Sequence, residues 1–143
     1  MATEQVFDCA TGEVITRPLP PPTLEEAQAG AKAQVEARCD ACFLAGWTVS
    51  GTGTALDGKV LQTRDLEDRT NWLTSQAAYS AAVADGNGAV AGAVFRTAAN
   101  ETVTLTFDEG LAVLLGMAAW GKAIMGNSWA LKDAVAAAAD VAA

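Results

Sequence analysis

Cys39-Asp40-Ala41-Cys42 is the first grouping in this sequence with chemistry in it. Two thiols at this spacing exchange disulfides when a helix N-terminus behind a strand favours the thiolate. Here the pair falls near the end of an expected helix, where the macrodipole works against a thiolate. A four-thiolate zinc site needs two such pairs, and the chain adds only Cys9. Both cysteines share the apolar face of their helix, so packing as small hydrophobes is the favoured reading. The carboxylates offer less. Most of Glu25, Glu26, Asp65, Glu67, Asp68, Asp108 and Glu109 stand where first helical turns are expected, complementing the dipole. A hydrolytic carboxylate pair is the less economical account of them.

There is no histidine, which removes the commonest metal ligand and general base. No GxSxG, P-loop or GxGxxG opening a helix occurs. Ser50-Gly51-Thr52-Gly53 lacks the lysine and helix of a phosphate cradle. No catalytic, cofactor-binding or metal site is therefore expected, and a small thiol or hydrolytic enzyme ranks last. Nine Lys and Arg against seventeen Asp and Glu give a net charge of -8. That balance argues against nucleic acid, which calls for a basic patch. No apolar run is long enough for a membrane span, and Met1 to Ala10 lacks the basic and apolar regions of a signal peptide. An odd cysteine count without framework spacing points to synthesis in a reducing cytoplasm.

The 143 residues, 51% of them apolar, suit one domain with a core. All four prolines fall in residues 17–22, a stiff polyproline spacer. It separates a hairpin arm (1–16) from a main domain (23–143). The arm is too small for a core of its own, so it must pack on something, either its own domain or a neighbouring subunit. Val6, Phe7, Val14 and Ile15, with Pro20, Pro21 and Pro22, are its candidate interface residues.

In the main domain, Thr23-Leu24-Glu25-Glu26 has the form of a capping box and opens helix one. Leu24, Ala27, Ala31, Val35, Cys39 and Cys42 trace its inner face, and Gly46 ends it. Asp57-Gly58 predicts a two-residue type I′ hairpin joining strands at about 47–50 and 59–63. Helix two runs from an Asp65 cap to about Ala84, with Leu66, Leu73, Ala77 and Ala81 facing the core. Trp72 lies off that stripe, which makes it the best candidate for a subunit or ligand contact, although an ordinary half-buried tryptophan is the favoured reading. A second hairpin spans Ala89–Arg96 and Thr102–Leu105. A second capping box, Thr106-Phe107-Asp108-Glu109, opens a helix to about Met125. Gly110, Gly116, Gly121 and Gly126 predict close approach of another backbone. A break at Gly126-Asn127 is expected, with Ser128 capping a last helix from Trp129 to about Ala142. The fold class expected is α+β: about four helices with two or three β-hairpins.

The order of Gly46-Trp47, Leu61-Gln62-Thr63-Arg64-Asp65, Val94-Phe95-Arg96-Thr97-Ala98-Ala99-Asn100, Val103-Thr104-Leu105-Thr106 and Ser128-Trp129-Ala130-Leu131-Lys132-Asp133-Ala134-Val135 is not generic. It resembles a family of tailed-phage and prophage proteins, catalogued as a domain of unknown function and encoded in the tail-fibre or tail-assembly region. Phe7 to Val14 followed by the proline run also resembles tail-fibre-associated proteins. The resemblance implies a structural virion component at the tail tip, baseplate or fibre attachment, with no catalytic residue to carry over. Its partners would be other tail proteins and copies of itself, three-fold symmetry suiting a fibre. The alternative is a tail-fibre assembly chaperone absent from the finished particle. Gln62, Arg64, Arg96 and Asn100 are expected to tie hairpins to helices.

Overall fold

Capping boxes fix the starts of the two longest helices. The Thr23 hydroxyl accepts from the Glu26 amide at 3.2 Å, and the Glu26 carboxylate accepts from the Thr23 amide at 2.8 Å. Thr106 and Glu109 repeat the arrangement at 3.3 and 3.0 Å. The computed structural model describes residues 3–141. Among them the order is β1 (Thr3–Asp8), β2 (Glu13–Pro18), α1 (Leu24–Ala45), β3 (Trp47–Thr48), β4 (Val60–Leu61), α2 (Leu66–Ala84), β5 (Ala91–Arg96), β6 (Thr102–Thr106) and α3 (Phe107–Ala137). The strands form three separate antiparallel pairs, β1–β2, β3–β4 and β5–β6. Helix α3 is the spine: α2 packs on it from one side and α1 runs along it from another, while β5 and β6 also touch it.

The core sits around the first half of α3. Phe95, Leu56, Leu61, Val49 and Val113 are fully buried, joined by Trp47, Tyr79, Ala93, Leu105, Leu114 and Met117. Gly46 is needed where α1 turns into β3. Its φ is 83°, and a Cβ there would lie 2.7 Å from the Leu61 carbonyl oxygen. A Cβ on Gly110 would collide with that of Ala93, so this glycine lets α3 lie close on β5.

Five expectations need correcting. The main domain has three helices, where four were expected. Gly126 and Asn127 lie inside α3, and Ser128 is buried there without starting a new helix. Helix α1 lies across this stretch and holds it helical: Lys132 pairs with Glu36 at 2.8 Å, and the Gln28 side chain donates to the Ala138 carbonyl at 3.0 Å. Helix α3 ends at Ala137, and Ala142 and Ala143 of the alanine-rich end lie outside the described residues.

The proline spacer is the second correction. Strand β2 runs through Arg17 and Pro18, and the stretch between it and α1 has no regular structure. Pro18 is tolerated because it ends a two-stranded ribbon, where an edge position needs no donor.

Helix α2 is rotated from its expected phase. Leu66 is 76% exposed and Leu73 66%, while Trp72 and Tyr79 face inward. Phe95 explains the rotation. Its ring stacks on Trp72 at 5.8 Å and meets Tyr79 at 6.0 Å, and two aromatic rings bury more area than two leucines.

Asp57-Gly58 does not form the type I′ turn. Gly58 has a φ of 81°, but Asp57 is not in the left-handed region. The strands shrink to two residues each, and residues 49–59 form a wide loop whose Leu56 plugs the core. The Asp57 carboxylate organises it, accepting from the Thr52 amide at 3.0 Å, the Thr52 hydroxyl at 2.7 Å and the Gly53 amide at 2.8 Å. These donors, the Thr52 hydroxyl foremost, hold the Asp57 pKa below its ordinary 3.8.

The four spaced glycines of α3 do not share one purpose. A Cβ on Gly110 would meet Ala93, one on Gly116 would lie 3.2 Å from the Trp47 ring, and one on Gly121 would lie 3.7 Å from the Phe43 ring. Gly126 faces open space, so no backbone approaches it within the protein.

Two measurements follow from this packing. In urea denaturation, Gly110→Ala lowers stability by about 1–3 kcal/mol through overpacking. Gly126→Ala raises it by up to ~1 kcal/mol through helix propensity. Asp57 has a depressed folded pKa, so its contribution is complete above 3.8 and fades as pH falls through the lower folded value. Asp57→Asn therefore lowers stability at pH 7, and its deficit against the native protein shrinks on acidification.

Candidate functional site

The arm is a six-pair ribbon. Val6 lies opposite Ile15 and Phe7 opposite Val14, with Glu4 opposite Arg17 closing the open end in an ion pair of 2.6 Å. Side chains alternate along a strand, so the Val6–Ile15 pair and the Phe7–Val14 pair occupy opposite faces. Neither face is fully covered, although Val6 is half-buried. Phe7 is 60% exposed, Val14 62% and Ile15 43%. Across the turn, the Asp8 carboxylate accepts from the Ala10 amide at 2.8 Å, a bond that lowers its pKa. Pro20, Pro21 and Pro22 are exposed.

A second surface runs along α1 and the distal half of α3. The phase expected for α1 holds: Leu24, Ala27, Ala31, Val35, Cys39 and Cys42 all turn toward its neighbour. Yet none of the residues of α1 is fully buried. Beyond Met117, only Ser128 of α3 is buried. These helices form an antiparallel pair with a groove of about 410 Å³ between them, lined by Val35, Arg38, Cys39, Cys42, Ile124 and Leu131 among others. Leu131 is nonetheless exposed, as is Trp129 on the same helix.

Trp72 occupies a third place. Its ring packs against the core while its Nε1–H donates to the Gln62 carbonyl at 2.6 Å. It lines a cleft of about 210 Å³ with Phe43, Arg69, Leu73, Met117 and Trp120. That is below the roughly 300–1,000 Å³ of ordinary small-molecule pockets. The Arg69 guanidinium lies 5.3 Å over the Phe43 ring, and Phe43 meets Trp120 edge-on at 5.5 Å. Sequence reading did not single out Phe43, Arg69 or Trp120 as neighbours. They come from three different helices, and nothing in their spacing along the chain signals that they meet.

The polar residues of the hairpins and loops divide. Gln62, through its carbonyl, ties β4 to α2. Arg64 grips Asp68 of α2 through Nε at 3.0 Å, which lowers the Asp68 pKa and raises its own. Arg96 instead binds within its own hairpin, to Asn100 at 2.8 Å and Thr102 at 2.6 Å. Asn100 takes a φ of 64° at the turn.

The structure does not bring the candidate interface residues into one site. Val6, Phe7, Val14 and Ile15 stand on the arm, and Trp72 lies between α2 and the β5–β6 hairpin. Among the described residues, no group of three His, Cys, Asp or Glu could hold a metal ion, and no helix is long and apolar enough to cross a membrane. Residues 26–143 match the model of a family described as a domain of unknown function, DUF4376. The chain belongs to that family. The matched segment begins inside α1, so the arm and the prolines precede it. No curated protein and no solved structure matches the chain.

Trp72→Ala lowers unfolding stability by about 3 kcal/mol, the lower end for removing a packed tryptophan, because the side chain is only partly buried. Equilibrium urea denaturation followed by far-UV circular dichroism measures it.

Proposed function

We propose that this protein is a structural component of a tailed-phage virion, at the tail tip, baseplate or fibre attachment, and that it acts by assembly without catalysis. The uncovered arm carries the assembly reading. A lone two-stranded hairpin is marginal in water, and this one shows apolar pairs on both faces. Packing against another chain would bury those pairs. The exposed proline stretch spaces the arm from α1 and limits how freely it swings. That the matched family segment starts after the arm agrees with an attachment device added to a domain. The order of motifs shared with tailed-phage and prophage proteins supports the virion setting. Partners are other tail proteins and further copies of the chain in closed rotational symmetry, three-fold suiting a fibre. A specific contact of this kind buries ~1,200–2,000 Å² in total.

Deleting residues 1–22 tests the reading. The truncated chain should keep the helical spectrum and unfolding midpoint of the full protein but lose its place in particles. Mass spectrometry of purified virions should find the full chain at stoichiometric copy number. Truncated protein that still joins particles at wild-type occupancy overturns the docking arm. A full chain that binds tail proteins yet is missing from the finished particle makes it an assembly chaperone instead.

A further inference from the structure

Two cysteines of α1 line the groove between α1 and α3, and a methionine sulfur of α3 stands against one of them. Cys39 and Cys42 both line it from α1. They are three residues apart on a helix, so their side chains are neighbours on one face. Met125 reaches across from α3, with its Sδ 3.9 Å from Cys39 Sγ. Three-coordinate sulfur sites have a characteristic size: metal–sulfur bonds of ~2.3 Å at 120° put the sulfurs about 4 Å apart. The inter-helix pair already stands at that separation.

We propose that Cys39, Cys42 and Met125 form a binding site for a soft monovalent cation, copper(I) being the one tested. The donor set decides the class of metal. Two thiolates and a thioether select Cu(I) over harder ions. Zinc needs a fourth ligand for its tetrahedron, and no group of three His, Cys, Asp or Glu stands together among the described residues. Binding releases the two thiol protons and leaves a site of net charge −1, two thiolates against one Cu(I). Arg38, which lines the same groove, offsets that charge. The helix position also favours the cation. Cys42 falls in the last turn of α1, where the macrodipole opposes a bare thiolate but attracts positive charge. No basic residue occupies that turn. A coordinated ion thus removes the objection that made this CxxC a poor redox motif. The metal would clamp α1 onto the distal half of α3, where few residues are buried. This site is independent of the assembly reading.

Anaerobic titration of the reduced full-length protein with Cu(I), against a competing chelator, tests it. One equivalent is expected to bind, with sulfur-to-metal charge-transfer absorption and a rise in Tm. X-ray absorption should count three sulfur neighbours. Cys9→Ser should leave all of this unchanged, since Cys9 is an exposed residue of the arm. Met125→Leu keeps the side-chain volume, so the fold is retained. It should weaken Cu(I) by at least about tenfold, the low end of what even outer-shell partners of a metal contribute. Cys39→Ser should abolish the charge-transfer band. Three results would overturn the site: unchanged affinity in Met125→Leu, a binding stoichiometry that falls with Cys9→Ser, or Cu(I) surrendered to the chelator as readily as by the urea-unfolded chain.

Discussion

The Phe95 ring holds the core together. It is fully buried on β5, with Trp72 stacked on one side and Tyr79 tilted against it. Tyr79 in turn meets Phe107 at 5.7 Å, at the start of α3, and its hydroxyl donates to the Val94 carbonyl at 3.2 Å. One chain of aromatic contacts therefore fastens α2, the β5–β6 hairpin and the N-terminus of α3 to one another. Gly110 makes the arrangement possible by letting α3 settle against Ala93 on the same strand. The rotation of α2, the partial burial of Trp72 and the exposure of Leu73 all follow from where that ring sits.

The local features of this fold were legible in the sequence because they rest on contacts between residues close in the chain. Thr23 with Glu26, Thr106 with Glu109 and the Asp65 cap need only three residues to specify them. The inner face of α1 was legible for a similar reason: its small and apolar residues keep step with the helical repeat. The phase of α2 was not, since Leu66 and Leu73 form an equally good stripe and only the distant Phe95 decides against it. The continuity of α3 through Gly126-Asn127-Ser128 was also hidden. That stretch reads as a stop signal, and it is overruled by α1, which lies almost a hundred positions earlier. Asp57-Gly58 misled because its carboxylate is taken up by Thr52 and Gly53, backbone partners that a turn rule does not consider.

The candidate surfaces divide in the same way. The hairpin arm and its four apolar residues were readable because the strands are adjacent and the proline run marks their limit. The clefts were not, since Phe43, Arg69 and Trp120, or Cys39 and Met125, come together only when three helices are assembled. Membership of a family of unknown function places the chain among relatives without saying what any of them does. The physical contrast within the molecule is more telling. One part has an aromatic core, while the rest presents a helix pair with little buried and a largely exposed ribbon.

Helix α3 has 31 residues, which makes it about 46 Å long. Its core contacts finish at Trp120, so roughly 25 Å projects past the hydrophobic centre, with α1 packed along it. In mechanical language this is a cantilever with a single strut. A load applied to the tip is carried down two parallel rods to an anchored root, and the root need not repack. Substitutions on the surface of the projecting half therefore cost the folding of the anchored half little.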